Sequence, residues 1–321
     1  MPRDRTLLYG TAAAVTAACL FGMLGPLSRF AAEAGVEGIA FTVWRALFGA
    51  LALLVGVALR RGIASSWRAL RSLDRRGRLS LLLVAVMGLT LNASIFTAFG
   101  RVPIALALML FYTYPAGVAL MDVVLGRERA TPARMGALAL ASLGVALVLA
   151  GGLDLDAGVA PDLLGIVLAL AAAASQVVFV TVSRTGYRAV PADTATALIL
   201  MVSVIGGRPM ALLVGQTAGL VAPLQSFDPW PVLLLAGVIA AGLTSLLFLM
   251  AIRSIGGTRT GILMLIEPVV GVVLAGVWLG EALVPIQAVG GALVLGGAVV
   301  LQLSSSPAHV PITEEGASPV V

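Results

Sequence analysis

The sequence predicts an all-α integral membrane protein: ten transmembrane helices arranged as two five-helix repeats of inverted topology. Three observations carry that expectation. First, 60% of the residues are hydrophobic and 11% are charged, with a mean hydropathy of +1.07, whereas a soluble domain carries about a quarter charged residues. Second, the chain repeats itself. Displaced by 153 positions, Ala98–Gly144 lies on Ala251–Gly297 without a gap, matching Pro115 to Pro268, Glu128 to Glu281, Pro132 to Pro285 and Gly144 to Gly297. A displacement of 155 sets Ala14, Ala17, Ala18, Ser28 and Arg29 on Ala169, Ala172, Ala173, Ser183 and Arg184. Third, arginines gather at alternate ends of the apolar runs, as the positive-inside rule requires of a multi-span chain.

The elements follow in order. Behind a short basic lead, Leu7–Ala31 is the first span; its apolar run is too long for a cleaved signal, whose core is roughly 7–15 residues. The acidic turn with Glu33 and Glu37 leads to span two, Ile39–Leu59. Between Arg60 and Arg78 stand seven arginines against the single Asp74, a cytoplasmic signature. Span three is Leu79–Gly100, span four Pro103–Leu125 and span five Ala133–Gly151, followed by an acidic linker with Asp154, Asp156 and Asp162. Span six is Leu163–Val182. Span seven, Ala192–Val214, is expected to break at Gly206-Gly207-Arg208-Pro209, and Gly215–Pro229 is read as a loop. Spans eight to ten are Trp230–Ile252, Thr258–Leu279 and Pro285–Leu303. The repeats thus occupy 1–151 and 163–303, and 304–321, rich in Ser, Pro, Thr and Glu, reads as a disordered cytoplasmic tail. Trp44, Trp230 and Trp278 are expected at the outer interface. Both termini fall on the cytoplasmic face of a cell (inner) membrane, and Arg101 is the one arginine this arrangement leaves outside.

Several function classes are excluded or disfavoured. The single Cys19 leaves no disulfide within the chain and no cysteine-based metal site, and the only histidine is His309. There is no lysine, hence no Walker-type phosphate loop. A net charge of +5 and a pI near 10.3 do not point to nucleic acid, because the arginines are dispersed over the span ends. No cluster of nucleophile, base and metal ligands suggests an enzyme, and no cofactor is expected.

Two stretches, YPAGVALMDVVLGRERATP at the end of span four and EPVVGVVLAGVWLGEALVP at the end of span nine, together with Arg45 in span two and the ten-span layout, resemble the drug/metabolite transporter superfamily, EamA-like family. The resemblance covers the whole membrane region. It implies a secondary carrier whose relatives export amino acids and other metabolites, expel drugs or carry sugars. Arg127, in Leu-Gly-Arg-Glu, departs from the family's usual Leu-Gly-Glu, and Arg208 has no family counterpart.

Odd numbers of spans per repeat place the second half upside down, so that two equivalent halves can exchange inward-open and outward-open shapes about a midplane site. The residues expected there are the polar ones at mid-depth. Glu267, beside Pro268 and roughly 13 Å along its helix, is an intramembrane acid, which is a functional hypothesis by default. It is either a proton-coupling carboxylate and contact for a cationic group, or a structural glutamate bonded to backbone that Pro268 frees. Arg45, deeper than Arg29, is balanced between a contact for substrate carboxylates and a snorkelling role; Arg29 is read as snorkelling. Glu128 and Glu281 are read as turn residues favoured by the helix starts that follow. Asn92, Tyr112, Tyr114, Gln176 and Ser245 complete the expected substrate-binding and coupling set, alongside Ser94, Thr97, Ser175 and Thr244, each of which could equally be interhelical glue. The expected partners are a small-molecule substrate and the lipid bilayer, in a monomer or homodimer. The expected function is export of amino acids or similar metabolites, with a multidrug cation carrier, and a membrane-embedded enzyme or scramblase, as the alternatives.

Overall fold

The structure is a computed structural model that describes residues 3–36, 38–99, 101–102, 104–150, 162–213, 215–280 and 284–303. Glu37, Asp154, Asp156, Glu281, His309 and the segment from Ser304 lie outside the described residues. The described residues form helices and turns, with no strand among them. Among the described residues nine stretches are long and apolar enough to cross a membrane by length and composition, and a further apolar helix runs over Pro285–Leu303.

In chain order the helices are α1 (Arg3–Gly22) and α2 (Leu24–Glu33), α3 (Gly38–Arg60), α4 (Ile63–Arg71), α5 (Arg75–Phe99), α6 (Ile104–Phe111) and α7 (Tyr114–Val124), α8 (Pro132–Ala150), α9 (Leu163–Ser183), α10 (Ala192–Leu213), and α11 (Thr217–Gln225). They continue with α12 (Trp230–Leu234), which runs through a wide π-type stretch (Leu235–Leu243) into α13 (Thr244–Ile255). Last come α14 (Gly257–Met264) and α15 (Ile266–Leu279), then α16 (Pro285–Leu303).

Two crossings are broken where prolines remove a rung of the ladder. Pro115 cannot donate to Phe111, nor Pro268 to Met264, and the helices pause at Tyr112–Thr113 and at Leu265. Displaced by 153, Tyr112 falls on Leu265, so both breaks occupy the same place in the repeat. The first crossing also pauses, at Met23, just before Pro26. By contrast, α10 runs unbroken through Gly206–Pro209, and the expected interruption is absent. The glycines there serve packing: a Cβ at Gly206 would meet Leu89 and one at Gly207 would meet Val43, 2.9 Å away. Helix α10 therefore lies tight against α5 and α3, and the neighbours hold it straight across Pro209.

Two segments read as loops contain helices. In α4, Ser66 Oγ bonds Thr194 Oγ1 at 3.0 Å, docking it on α10. Beside α11, the Gln216 side-chain oxygen accepts from the backbone N–H of Ile39 (2.7 Å) and Ala40 (3.3 Å), satisfying the start of α3. At the start of α9, Asp162 accepts from the Arg101 guanidinium (2.6 Å) and the Leu164 N–H (2.8 Å). Those two bonds hold its carboxyl below the ordinary value. The small stabilisation from this exposed pair is therefore present at neutral pH and lost as pH falls through the lowered value. Trp44 is half-buried and stacked on Phe48 at 5.8 Å, and Phe48 also meets Trp230 at 5.6 Å.

The halves interleave. Helix α1 packs on α13 and α15, while α9, its repeat counterpart, packs on α5 and α7. Small residues make both approaches possible: Ala14, Ala17 and Ala18 on α1, and Ala169, Ala172 and Ala173 on α9, are all buried at the same i, i+3, i+4 spacing. Helices α8 and α16 cross at glycines. A Cβ on Gly144 would lie 2.5 Å from the Gly290 carbonyl and 2.7 Å from the Val294 nitrogen; one on Gly297 would meet the Ala137 carbonyl at 2.8 Å and the Ala141 nitrogen at 3.0 Å. The second set of contacts is the first displaced by 153. Because 144 meets 290 while 137 meets 297, the two helices run antiparallel.

Gly144→Leu is expected to force these backbones apart. Overpacking of this kind costs about 1–3 kcal/mol, so the variant should unfold several degrees lower than the parent in a detergent thermal melt. Gly136→Leu, on the same helix with open space around it, should melt with the parent.

Candidate functional site

The interleaved halves enclose a cavity of about 470 Å³, within the range that holds small-molecule ligands. Its polar lining comes from most of the crossings. Arg45 projects from α3, Asn92 from α5, Tyr112 from the α6–α7 break and Tyr114 from the first turn of α7. Gln176 comes from α9, Ser245 from α13 and Glu267 from the first turn of α15. The seven sequence-derived candidates thus face one space. Ser94, Thr97, Ser175 and Thr244 do not line it; the hydroxyls of Thr97 and Thr244 bond the backbone oxygens of Ala93 (2.7 Å) and Ile239 (2.8 Å).

The polar groups divide into two sets. In one, an Arg45 Nη donates to the Asn92 side-chain oxygen at 2.7 Å, while the Asn92 amide donates to the Gly88 carbonyl at 2.7 Å. Asn92 therefore holds a buried guanidinium, 9% exposed, which also lies 6.0 Å from the Phe41 ring centre. In the other set, Tyr112 lies near the half-buried Glu267, and Tyr114 near Gln176. Glu267 sits where the break at Leu265 starts a new helix, so the dipole of α15 favours a negative charge there. Arg45 and Glu267 are close enough to act on one another through space. The cavity also has aromatic walls: Phe111 contacts Tyr112 and Tyr114 at ring separations of 5.3 and 5.2 Å, and Phe248 stacks on Phe179 at 6.3 Å.

Sequence reasoning passed over two hydroxyls of α10, Thr196 and Ser203, seven residues apart and hence on one helix face. Ser203 bonds the Ile199 carbonyl at 3.2 Å. The buried Thr196 hydroxyl has no protein partner. Arg29, read as a snorkelling residue, is exposed and lines the cavity beside Ser28, whereas the exposed Arg208 does not line it. Glu128 stands in the turn before α8, as expected, and its side chain bonds Arg134 in the first turn of α8 at 3.2 Å and pairs with Arg184 at 3.3 Å. Among the described residues no group of three or more His, Cys, Asp or Glu side chains could hold a metal ion.

A membrane-embedded helical bundle with a largely apolar cavity that carries a few polar and charged side chains, at the seam of two related halves, is the architecture of a transporter. The family model of the EamA-like transporter family matches residues 8–150 and again 163–303, and the chain belongs to that family. An uncharacterised transporter of Archaeoglobus fulgidus is 28% identical over 296 residues, covering 92% of this chain and 97% of that protein. A solved crystal structure superposes with a TM-score of 0.78 over 92% of this chain and 96% of its own, at 22% identity, a likeness of fold.

Asn92→Leu should remove the acceptor that holds the buried Arg45 guanidinium. Hydrogen bonds to charged groups contribute about 1.5–3 kcal/mol, so a drop of several degrees in the detergent melting temperature is expected. Asn92→Asp, which keeps an acceptor, should recover most of it.

Proposed function

We propose that the chain is a secondary carrier that exports amino acids or similar small metabolites across the plasma (inner) membrane by alternating access, with proton exchange as the driving force. The observation that carries the reading is the pairing of opposite charges in one cavity. Arg45 with Asn92 suits a carboxylate, Glu267 with Tyr112 suits an ammonium group, and the aromatic rings of the same cavity suit an apolar body.

The inverted arrangement of the halves belongs to the same reading. It is supported by helix breaks at equivalent positions, by the interleaving of α1 and α9 and by the antiparallel, repeat-related crossing of α8 and α16. The arginines of 60–78 support a cytoplasmic position for that end of the bundle. The start of α1, with Gly10 against Ile255, and the end of α16 lie at that same end, so both termini are assigned to the cytoplasm. A multidrug cation carrier would use the same aromatic walls and Glu267, but the buried arginine opposes a purely cationic ligand.

A thermal-shift screen of purified protein tests the substrate class. Amino acids with apolar side chains should raise the melting temperature, by about 5 °C at a hundredfold excess over Kd, and Arg45→Gln should abolish the shift. A response to quaternary ammonium compounds and to no amino acid would overturn the reading. For coupling, Glu267→Gln should flatten the pH dependence of transport in proteoliposomes; an unchanged pH response would remove Glu267 from that role.

A further inference from the structure

The cavity is not symmetric from end to end. Towards the end opposite the 60–78 arginines, its lining continues along α2 to Arg29 and along α15 to Val272 and Ala275. Towards the arginine-rich end it stops at Phe179, Thr196 and Leu249. Beneath that floor lies an apolar layer in which Leu249 packs with Ile199, Tyr187 and Val190. Beside it, between α7, α9 and α14, sits a charge cluster that the substrate cavity does not use.

Asp122, near the end of α7, is fully buried. One carboxylate oxygen accepts from the backbone N–H of Thr258 (3.3 Å) and its hydroxyl (3.0 Å) at the start of α14. The other lies 3.4 Å from Arg184 at the end of α9 and 3.8 Å from Arg127. The same Arg184 nitrogen lies 3.3 Å from Glu128, which Arg134 also binds. Gly256 makes the approach possible. Its φ is +87°, and a Cβ there would stand 2.8 Å from Glu128 Oε1 and 3.1 Å from an Arg184 nitrogen.

Three properties distinguish this cluster from ordinary interhelical glue. Asp122 and Glu128 lie at and just beyond the end of α7, and Arg184 at the end of α9, which packs with α7, whereas Thr258 and Gly256 belong to the start of α14 in the other group of packed helices. The Asp122–Thr258 bonds and the close approach of Gly256 to Glu128 and Arg184 therefore cross the seam that alternating access must open. The separations between charges, 3.3–3.8 Å, exceed the 2.7–2.9 Å of a tight charge-assisted bond. Buried pairs of this kind contribute little net stability and are best attested as devices that select one arrangement over another. Finally, the position equivalent to Asp122 in the second half is Ala275, which lines the open mouth, so Asp122 has no charged counterpart at the other end.

We propose that Asp122 and Glu128, held in place by Arg184 and tied across the seam to Thr258 and the turn at Gly256, form a latch that holds the arginine-rich end of the cavity shut, and that releasing it admits that side to the cavity. The latch rests on the carrier reading above. Its members are positioning residues that set which end is open and do not touch the substrate.

The test uses the full chain with Cys19→Ser and a reporter, Ile199→Cys, at the cavity floor, reconstituted in vesicles of each orientation. A membrane-impermeant thiol reagent is applied, and labelling rates from the two sides are compared. Asp122→Asn should raise the rate from the arginine-rich side about tenfold and lower it from the other, as expected when a closed state loses its bias. Arg184→Lys, which keeps a charge but not the fork that reaches two carboxylates, should move both rates the same way by a smaller factor. If Asp122→Asn does not elute as a monodisperse species, Arg184→Lys decides the matter. Parental rates from both sides in a folded variant overturn the latch. Labelling needs no substrate, so lost transport with parental labelling sinks the latch alone, whereas altered labelling in a protein that moves no solute leaves the latch and removes the carrier reading.

Discussion

A charge inside a bilayer must be partnered, neutralised or wetted, because hydrocarbon offers it nothing. That constraint shapes the middle of this molecule. Arg45 and Glu267 lie deep within their apolar helices, and the structure answers with Asn92, Tyr112 and a cavity between the halves. The helix breaks serve the same end. By stopping α6 and α14 short, Pro115 and Pro268 present new helix starts at mid-depth, and one of them receives Glu267 where its charge is favoured.

The cavity lies at a seam between two halves that are threaded through one another. Helix α1 belongs by sequence to the first half and by contact to α13 and α15; α9 does the reverse. Runs of alanine and glycine make these approaches close, which gives rigid helix pairs, while charge ties are concentrated at one end of the seam. Rigid pairs with a breakable contact between them are what a rocking motion requires. The carrier and latch proposed above divide substrate recognition from conformational bias, with Arg45 and Glu267 in the first role and Asp122, held by Arg184, in the second.

Much of this was legible in the sequence, for physical reasons. Crossings announce themselves by length and composition, and a polar or charged side chain within an apolar run stands out, which makes the seven polar side chains that line the cavity readable before the fold is known. Other features had no comparable signal. Gly206-Gly207-Arg208-Pro209 looks like a break in sequence, but whether glycine loosens a helix or admits a neighbour depends on that neighbour, here Leu89 and Val43. The short helices α4 and α11 were hidden because arginine or glycine and proline dominate their surroundings. Thr196 was passed over because a lone helical hydroxyl commonly bonds its own backbone, as Ser203 does. Asp122 lies close enough to the end of its crossing to pass for a boundary charge, and only the fold brings Thr258 and Arg184 to it.

The central claim is that one site between the halves serves both faces of the membrane in turn. Solute counterflow in proteoliposomes tests it most directly: vesicles are loaded with an unlabelled amino acid of apolar side chain, and trace radiolabelled solute is added outside. The account predicts a transient accumulation of label above the external concentration, because exchange through an alternating site is faster than net flux. Monotonic equilibration without overshoot, or no entry at all, would contradict it.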